Sequence, residues 1–178
     1  MKSFFEKLVY ITGGSSGIGL ELASQLAKHG AHLVLIARNQ NKLDAVKKDL
    51  ESSKLSSNQL IVTISVDVAN YEDVKTKMSD AVNTFGAPDI LINSAGINKC
   101  ADYFENISHD VFEEVMRINV NGVRNVTHAL YGEMKQKKGH IVILSSAAGL
   151  FGMFGYSSDG ASKAALMGFA ESLRYEAA

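Results

Sequence analysis

Cysteine, proline and tryptophan are almost absent from this 178-residue chain, which has one cysteine, one proline and no tryptophan. A single cysteine, Cys100, excludes a disulfide within the chain and suits a reducing compartment. We interpret it as a small apolar side chain, with a reactive thiol as the alternative. Because only Pro88 interrupts the chain and no linker-like stretch occurs, residues 1–178 are predicted to form one domain.

The chain also lacks a charge excess and a long apolar run. Its net charge of −1 excludes the strongly basic surface that is typical of nucleic-acid binding. No window approaches the roughly 18 apolar residues of a membrane span, and the charged segment Met1–Lys7 does not resemble a signal peptide. We therefore expect a cytoplasmic protein with no transmembrane segment, no nucleic-acid partner and no metal site.

Short apolar runs alternate with amphipathic stretches along the whole chain. The runs predict strands and the stretches between them predict helices. Strands that are apolar throughout are buried on both faces, so the pattern predicts an α/β fold with a doubly wound parallel (Rossmann) sheet in the order 3-2-1-4-5. The predicted strands are Leu8–Ile11, His32–Ala37, Leu60–Ile64, Ile90–Ile92 and His140–Leu144, with a long helix over about 108–136 and a last one from about Ser158.

A glycine-rich turn joins the first strand to the first helix. Such a turn lets the backbone approach a phosphate, and it directs the free N–H groups of the helix start at the negative charge. Its spacing is Gly-x-x-x-Gly-x-Gly, which differs from the commonest dinucleotide-binding pattern. Gly13, Gly17 and Gly19 are predicted to be positions where a side chain would obstruct the approach of the backbone to a phosphate. The turn residues predicted to bind a nucleotide are Gly13, Ser15, Ser16, Gly17, Ile18 and Gly19.

Arg38 follows the second strand, at the distance from Gly19 where an NAD-binding site usually places an acidic residue. An arginine cannot accept a hydrogen bond from the ribose 2′-hydroxyl, but it can pair with a 2′-phosphate. We therefore predict a preference for NADP(H). The alternative is a solvated arginine at a strand end.

Residues that suit a cofactor also follow the third and fourth strands. Asp67 is predicted to accept a hydrogen bond from the adenine amine and Val68 to pack on the ring, although Asp67 could equally cap a turn. Asn93, Ala95 and Gly96 belong to a run of small residues that would let the chain pass close to a cofactor.

Five motifs in order resemble the short-chain dehydrogenase/reductase family. They are Thr12-Gly-x-x-x-Gly-x-Gly19, Asn93-Ser-Ala-Gly96, Asn119, Ser146 and Lys163, and they span nearly the whole chain. Within the family, the run Ser145–Gly155 is similar to the 3-ketodihydrosphingosine reductases and, less specifically, to the 3-oxoacyl-carrier-protein reductases.

The resemblance implies hydride transfer between a nicotinamide cofactor and a small carbonyl or alcohol substrate, such as a 3-ketosphinganine or a 3-oxoacyl lipid precursor. Ser146 matches the serine that polarises the carbonyl oxygen, and Asn119 matches the residue that holds a water of the proton relay. Lys163 matches the lysine that binds the nicotinamide ribose and acidifies a tyrosine. The resemblance also implies a homodimer or homotetramer.

Asp159 stands where the resemblance places the proton-donating tyrosine. The Tyr-x-x-x-Lys spacing to Lys163 and the interval from Ser146 both lead to it. An ionised carboxylate is an acceptor only, so it cannot donate the proton and it repels a developing alkoxide. Tyr156 lies about 10 Å from Lys163 along an ideal helix and is expected to pack rather than to replace the tyrosine.

The presence of Asp159 at the position of the tyrosine leaves two alternative functions. The first is an altered reductase that binds NADP(H) but is nearly inactive, and the alternative is a non-catalytic NADP(H)-binding regulatory or interaction protein. Asp159 and Ser158 could also cap the last helix. Because the family usually has two further strands, we expect the chain to be truncated within the catalytic helix, with the fifth strand as an exposed edge.

Overall fold

The computed structural model describes residues 4–99 and 101–177, so Cys100 and its predicted role lie outside the described residues. The sheet has five parallel strands in the order β3-β2-β1-β4-β5, which confirms the predicted topology. Its strands are β1 (Leu8–Thr12), β2 (His32–Ala37), β3 (Ile61–Ser65), β4 (Ile90–Asn93) and β5 (His140–Ile143). The α-helices are α1 (Gly17–Lys28), α2 (Gln40–Ser52), α3 (Tyr71–Phe85), α4 (His109–Met116), α5 (Gly122–Lys137) and α6 (Ser157–Glu176).

Both faces of the sheet are buried, because successive residues of a strand point to opposite sides. Val9 and Ile11 of β1 pack in a core with residues of α1 and α2. Tyr10, between them, packs in a second core with residues of α3 and α5. This arrangement leaves the carboxyl edge of the sheet as the place where loops from several strands meet.

Tyr10 is fully buried in this second core, and its hydroxyl group lies at the end of α3. Its hydroxyl donates a hydrogen bond to the Gly86 carbonyl at 3.0 Å. Burial raises the pKa of Tyr10 to about 12, so the group stays a neutral donor at physiological pH. The bond connects β1 to the C-terminal end of α3.

The helix predicted over about 108–136 is interrupted. After α4 the chain forms a π-helical turn, Arg117–Asn121, before α5 continues. None of these five residues is glycine or proline, so local propensity does not mark the interruption. Such turns in longer helices often occur at functional sites, and this one contains Asn119.

The start of α6 corrects a second expectation. The helix begins at Ser157 with Tyr156 at its N-cap, and no side chain makes a capping hydrogen bond there. Ser158 and Asp159 therefore lie within the first turn, and the proposed capping role is wrong. None of the helices in the described ranges is long and apolar enough to cross a bilayer.

Candidate cofactor and substrate site

Two adjoining clefts open along the carboxyl edge of the sheet. The first encloses about 700 Å³ and the second about 970 Å³, each including its open mouth. They meet between β1 and β4, where the strand order reverses and where ligands of such sheets bind. Residues shared by both clefts are Gly13, Ser16, Ala95, Gly96 and Ile97.

The three glycines of the turn after β1 serve different purposes. A Cβ on Gly13 would lie 2.9 Å from the Ala95 nitrogen, and one on Gly19 would lie 2.5 Å from the Gly13 carbonyl oxygen. Gly17 has no atom within 4 Å of such a Cβ, but its φ of +56° favours glycine. Gly17 therefore has a conformational requirement for glycine, and obstruction of a bound nucleotide at this position stays a prediction.

Thr12 connects this turn to the loop after β4. Its hydroxyl oxygen accepts hydrogen bonds from the backbone N–H groups of Ser94 at 3.1 Å and Ala95 at 3.0 Å. At the start of α1, Ser16 is the N-cap but makes no side-chain capping bond. The first N–H groups of α1 are thus not capped by that side chain, and the close-packed glycine backbone beside them fits a phosphate group.

Arg38 lines the first cleft but not the second, and it is exposed. It forms no ion pair within residues 4–99 and 101–177. Lys42, which the sequence analysis did not single out, lines the same cleft. Asn39 caps α2 by accepting from the Lys42 N–H at 3.0 Å, which places Lys42 in the first turn of that helix. Its position four residues after Arg38 was the available signal.

Asp67 and Val68 both line the first cleft, and both also have structural contacts. The Asp67 carboxylate accepts from the Ala69 N–H at 3.0 Å and lies 3.8 Å from the Arg117 guanidinium. The turn-capping alternative is therefore confirmed for Asp67. Val68 is 6% exposed and packs so closely on Gly122 that a Cβ there would lie 2.7 Å away.

Asn119 does not line either cleft but holds the loop that does. Its Oδ1 accepts from the Ile97 N–H at 2.8 Å, and its Nδ2 donates to the Ile97 carbonyl at 2.9 Å. The same Nδ2 donates to the Ser162 hydroxyl at 3.1 Å, and Ser162 in turn donates to the Asp159 carbonyl at 2.8 Å. Ser162, also missed in the sequence, thus links the π turn to α6.

Ser146, Asp159 and Lys163 are brought together in the second cleft. The Ser146 oxygen accepts from the Ala148 N–H at 3.2 Å, and the Lys163 ammonium donates to the Leu144 carbonyl at 3.4 Å. Asp159 is 8% exposed. Its carboxylate has no hydrogen-bond or ion-pair partner in the described part of the chain.

Backbone contacts hold Lys163 in this place. The Ser145 hydroxyl donates to the Lys163 carbonyl at 2.9 Å. A Cβ on Gly149 would lie 2.8 Å from the Lys163 carbonyl carbon, so the short 3-10 turn Ala147–Gly149 packs directly on α6. Tyr156 lines a different groove, beside Leu150, and does not line the cleft of Asp159.

Asn93, like Gly19 of the glycine turn, is a predicted cofactor residue outside both clefts. It is 1% exposed and lines neither cleft. Its Nδ2 donates to the Thr127 hydroxyl at 3.1 Å, while its Oδ1 has no partner within the described ranges. The side chain joins β4 to α5, and a cofactor contact for Asn93 remains a prediction.

The parallel sheet and the glycine turn at its switch point define a Rossmann-type domain with a nucleotide-binding geometry. Comparison with known families then identifies the family to which this domain belongs. The family model for short chain dehydrogenases matches residues 7–178, and the chain belongs to this family. The resemblance inferred from its motifs is thereby confirmed.

Two curated relatives are reductases by name. The chain is 40% identical over 170 residues to 3-dehydrosphinganine reductase of Danio rerio, covering 94% of this chain and 51% of the relative. It is 39% identical to 3-ketodihydrosphingosine reductase of Bos taurus with the same coverage. The chain thus spans about half the length of these relatives.

Solved structures of other dehydrogenases share the fold. A short chain dehydrogenase of Shigella flexneri complexed with NADP matches with a TM-score of 0.91 and 26% identity, covering 99% of this chain and 74% of that one. An NAD⁺-bound xylitol dehydrogenase matches with a TM-score of 0.92 and 28% identity, covering 99% and 66%. Both nicotinamide cofactors therefore occur on this fold.

Proposed function

We propose that the chain binds NADP(H) along the two clefts and is an altered reductase, nearly inactive because it lacks the proton-donating tyrosine. The observation that carries the proposal is the distribution of groups between the two clefts. Two cations, Arg38 and Lys42, line only the first cleft, and Ser146, Asp159 and Lys163 line only the second.

The cofactor half of the proposal depends on groups that suit phosphates. The backbone of Gly13–Gly19 and the start of α1 would hold the pyrophosphate, while Arg38 would pair with a 2′-phosphate. Asp67 and Val68 would border the adenine, and Lys163 would bond the nicotinamide ribose. The chemistry that NADP(H) supplies when bound is hydride transfer to a carbonyl carbon or from an alcohol carbon.

The catalytic half explains the expected low activity. The Ser146 hydroxyl can donate to a carbonyl oxygen and polarise it, and Lys163 places a positive charge in the same cleft. Asp159, at the proton donor's position, can only accept hydrogen bonds when ionised. A negative charge there also opposes the developing alkoxide.

A lipid with a 3-keto group is the substrate class we propose, either a 3-ketosphinganine or a 3-oxoacyl precursor. The names of the two reductase relatives support it. An exposed apolar segment supports it independently, since Leu150, Phe151 and Phe154 follow Ser146 in the chain and are 70%, 60% and 75% exposed.

A non-catalytic NADP(H)-binding regulatory protein is the second candidate, and Asp159 is the observation that favours it. The two candidates differ in whether one substitution restores turnover. Asp159→Tyr supplies the phenol, and Asp159→Phe is the matched control because it adds the ring without the hydroxyl.

Fluorescence titration of NADPH and NADH against the full-length protein is the first experiment, and we expect NADPH to bind more tightly. Ketone reduction is then measured for the wild type and both variants. Activity in Asp159→Tyr alone supports the altered reductase, whereas inactivity of all three with tight NADPH binding supports the regulatory protein. Strong reduction by the wild type, unchanged in Asp159→Phe, would refute the role given to Asp159.

The assembly that the family implies and the location expected from the sequence stay proposals as well. We propose a homodimer or homotetramer, which light scattering of the purified protein tests. A cytoplasmic location is tested by imaging a fluorescent fusion.

A further inference from the structure

Asp159 lines the second cleft, and its carboxylate has no partner among the described residues. Asp159 is 8% exposed, and its side chain borders the cavity of about 970 Å³ that Ser146 and Lys163 also line. No hydrogen bond or ion pair reaches the carboxylate from residues 4–99 or 101–177. A carboxylate that lines a cleft without a partner can accept charge-assisted hydrogen bonds from a positively charged ligand.

We propose that Asp159 binds the ammonium group of an aliphatic amine in the second cleft. A carboxylate is shorter than the phenol that the family places here, so it leaves room for a cationic nitrogen. A metal ion is disfavoured, because the described residues contain no group of three His, Cys, Asp or Glu side chains that could hold one. One carboxylate with the nearby Ser146 hydroxyl suits an ammonium donor.

The position of Lys163 is compatible with such a ligand. Its ammonium is directed at the Leu144 carbonyl, 3.4 Å away, and lies 3.9 Å from where a Cβ of Gly96 would be. It forms no ion pair within 4.0 Å with the Asp159 carboxylate, which is therefore available to accept hydrogen bonds from a ligand.

Apolar side chains next to this cleft can take the hydrocarbon part of the amine. Leu150, Phe151, Met153 and Tyr156 line a groove of about 560 Å³ that also includes Gly160, the residue after Asp159. Exposed apolar groups that cluster in this way are typical of ligand or membrane contacts. The inference rests on the proposed function only in placing the ligand in the substrate cleft.

Calorimetric titration of the full-length protein with n-octylamine and 1-octanol at neutral pH tests the inference. The two probes share a chain and differ in charge. We expect octylamine to bind the wild type at least about tenfold more tightly than octanol, and Asp159→Asn to lose about that factor. Asp80→Asn, which removes an exposed carboxylate on α3, is the matched control and should bind as the wild type does.

Equal octylamine binding by the wild type and Asp159→Asn would overturn the inference, as would octanol binding as tightly as octylamine. Circular dichroism checks that the variant folds. Where it does not, octylamine is compared with neutral N-octylacetamide on the wild type, and equal affinities overturn the inference.

NADPH titration of the same samples separates the two proposals. Amine preference without NADPH binding refutes the proposed function alone, and NADPH binding without amine preference refutes this inference alone.

Discussion

Asn119 and Ile97 are joined by two hydrogen bonds, one in each direction. The Asn119 Oδ1 accepts from the Ile97 N–H at 2.8 Å, and its Nδ2 donates to the Ile97 carbonyl at 2.9 Å. Asn119 lies in the π turn and is 1% exposed, whereas Ile97 lies in the loop that lines both clefts. Asn119 thus holds in place the loop that lines both clefts.

Replacing this asparagine should destabilise the protein. Asn119→Leu leaves the Ile97 N–H and carbonyl without these partners, which we expect to lower the free energy of unfolding by about 2 kcal/mol. NADPH affinity should fall as well, because the loop is no longer held. Urea unfolding measures the first effect, and Asn58→Leu at an exposed loop position is the control. A similar loss in both variants would contradict the prediction.

The glycine turn can be tested at Gly19, where an added methyl group would clash with the backbone of the turn. Gly19→Ala places its Cβ 2.5 Å from the Gly13 carbonyl oxygen, so the turn must shift and NADPH binding should be lost. Gly132→Ala is the control, because nothing lies within 4 Å of its Cβ on the exposed side of α5. That variant should keep NADPH binding and gain up to about 1 kcal/mol of stability. Unaltered NADPH affinity in Gly19→Ala would count against the site.

Arg38 and Lys42 should together discriminate between NADPH and NADH. Because a charge-assisted hydrogen bond contributes about 1.5–3 kcal/mol, Arg38→Ala should weaken NADPH binding by roughly 10–100-fold and leave NADH binding nearly unchanged. We expect Lys42→Ala to have a smaller effect in the same direction. Lys48→Ala, on the same helix but outside the cleft, is the control. An NADH preference in the wild type would refute the role of Arg38.

Asp89 should make stability depend on pH. Burial raises the pKa of this carboxyl, but the Leu8 N–H at 2.9 Å and the charges of Lys137 and Lys7 outweigh it and hold the pKa below its ordinary value. A lowered pKa contributes stability that is present above the unfolded-state value of about 3.9 and is lost as the pH falls through the folded-state value.

Asp89→Asn should therefore cost about 1 kcal/mol at pH 7, and the difference from the wild type should shrink as the pH is lowered below about 4. Urea unfolding at several pH values gives both curves. Asp80→Asn is the control for a carboxylate that has no such contacts. A constant difference between Asp89→Asn and wild type down to pH 2 would contradict the assignment.

Much of the fold was predictable because it depends on local patterns. Continuous apolar strands such as Leu33–Ile36 imply burial on both faces, and with right-handed crossovers this leads to the observed strand order. The π turn was not predictable, since the residues 117–121 have ordinary helix propensities. Lys42 was missed although it lies four residues after Arg38. Ser162 was missed because nothing in its neighbours along the chain distinguishes it from other helix residues.

The sequence by itself determined the family, the glycine turn and the replacement of the expected tyrosine by Asp159, since motif spacing records all three. Tertiary structure decided which side chains share a cleft. Asn93 turns toward Thr127, Asn119 pairs with Ile97, and the Asp159 carboxylate remains without a partner beside Ser146 and Lys163. These outcomes depend on contacts between residues distant in the chain, which spacing along a sequence does not encode.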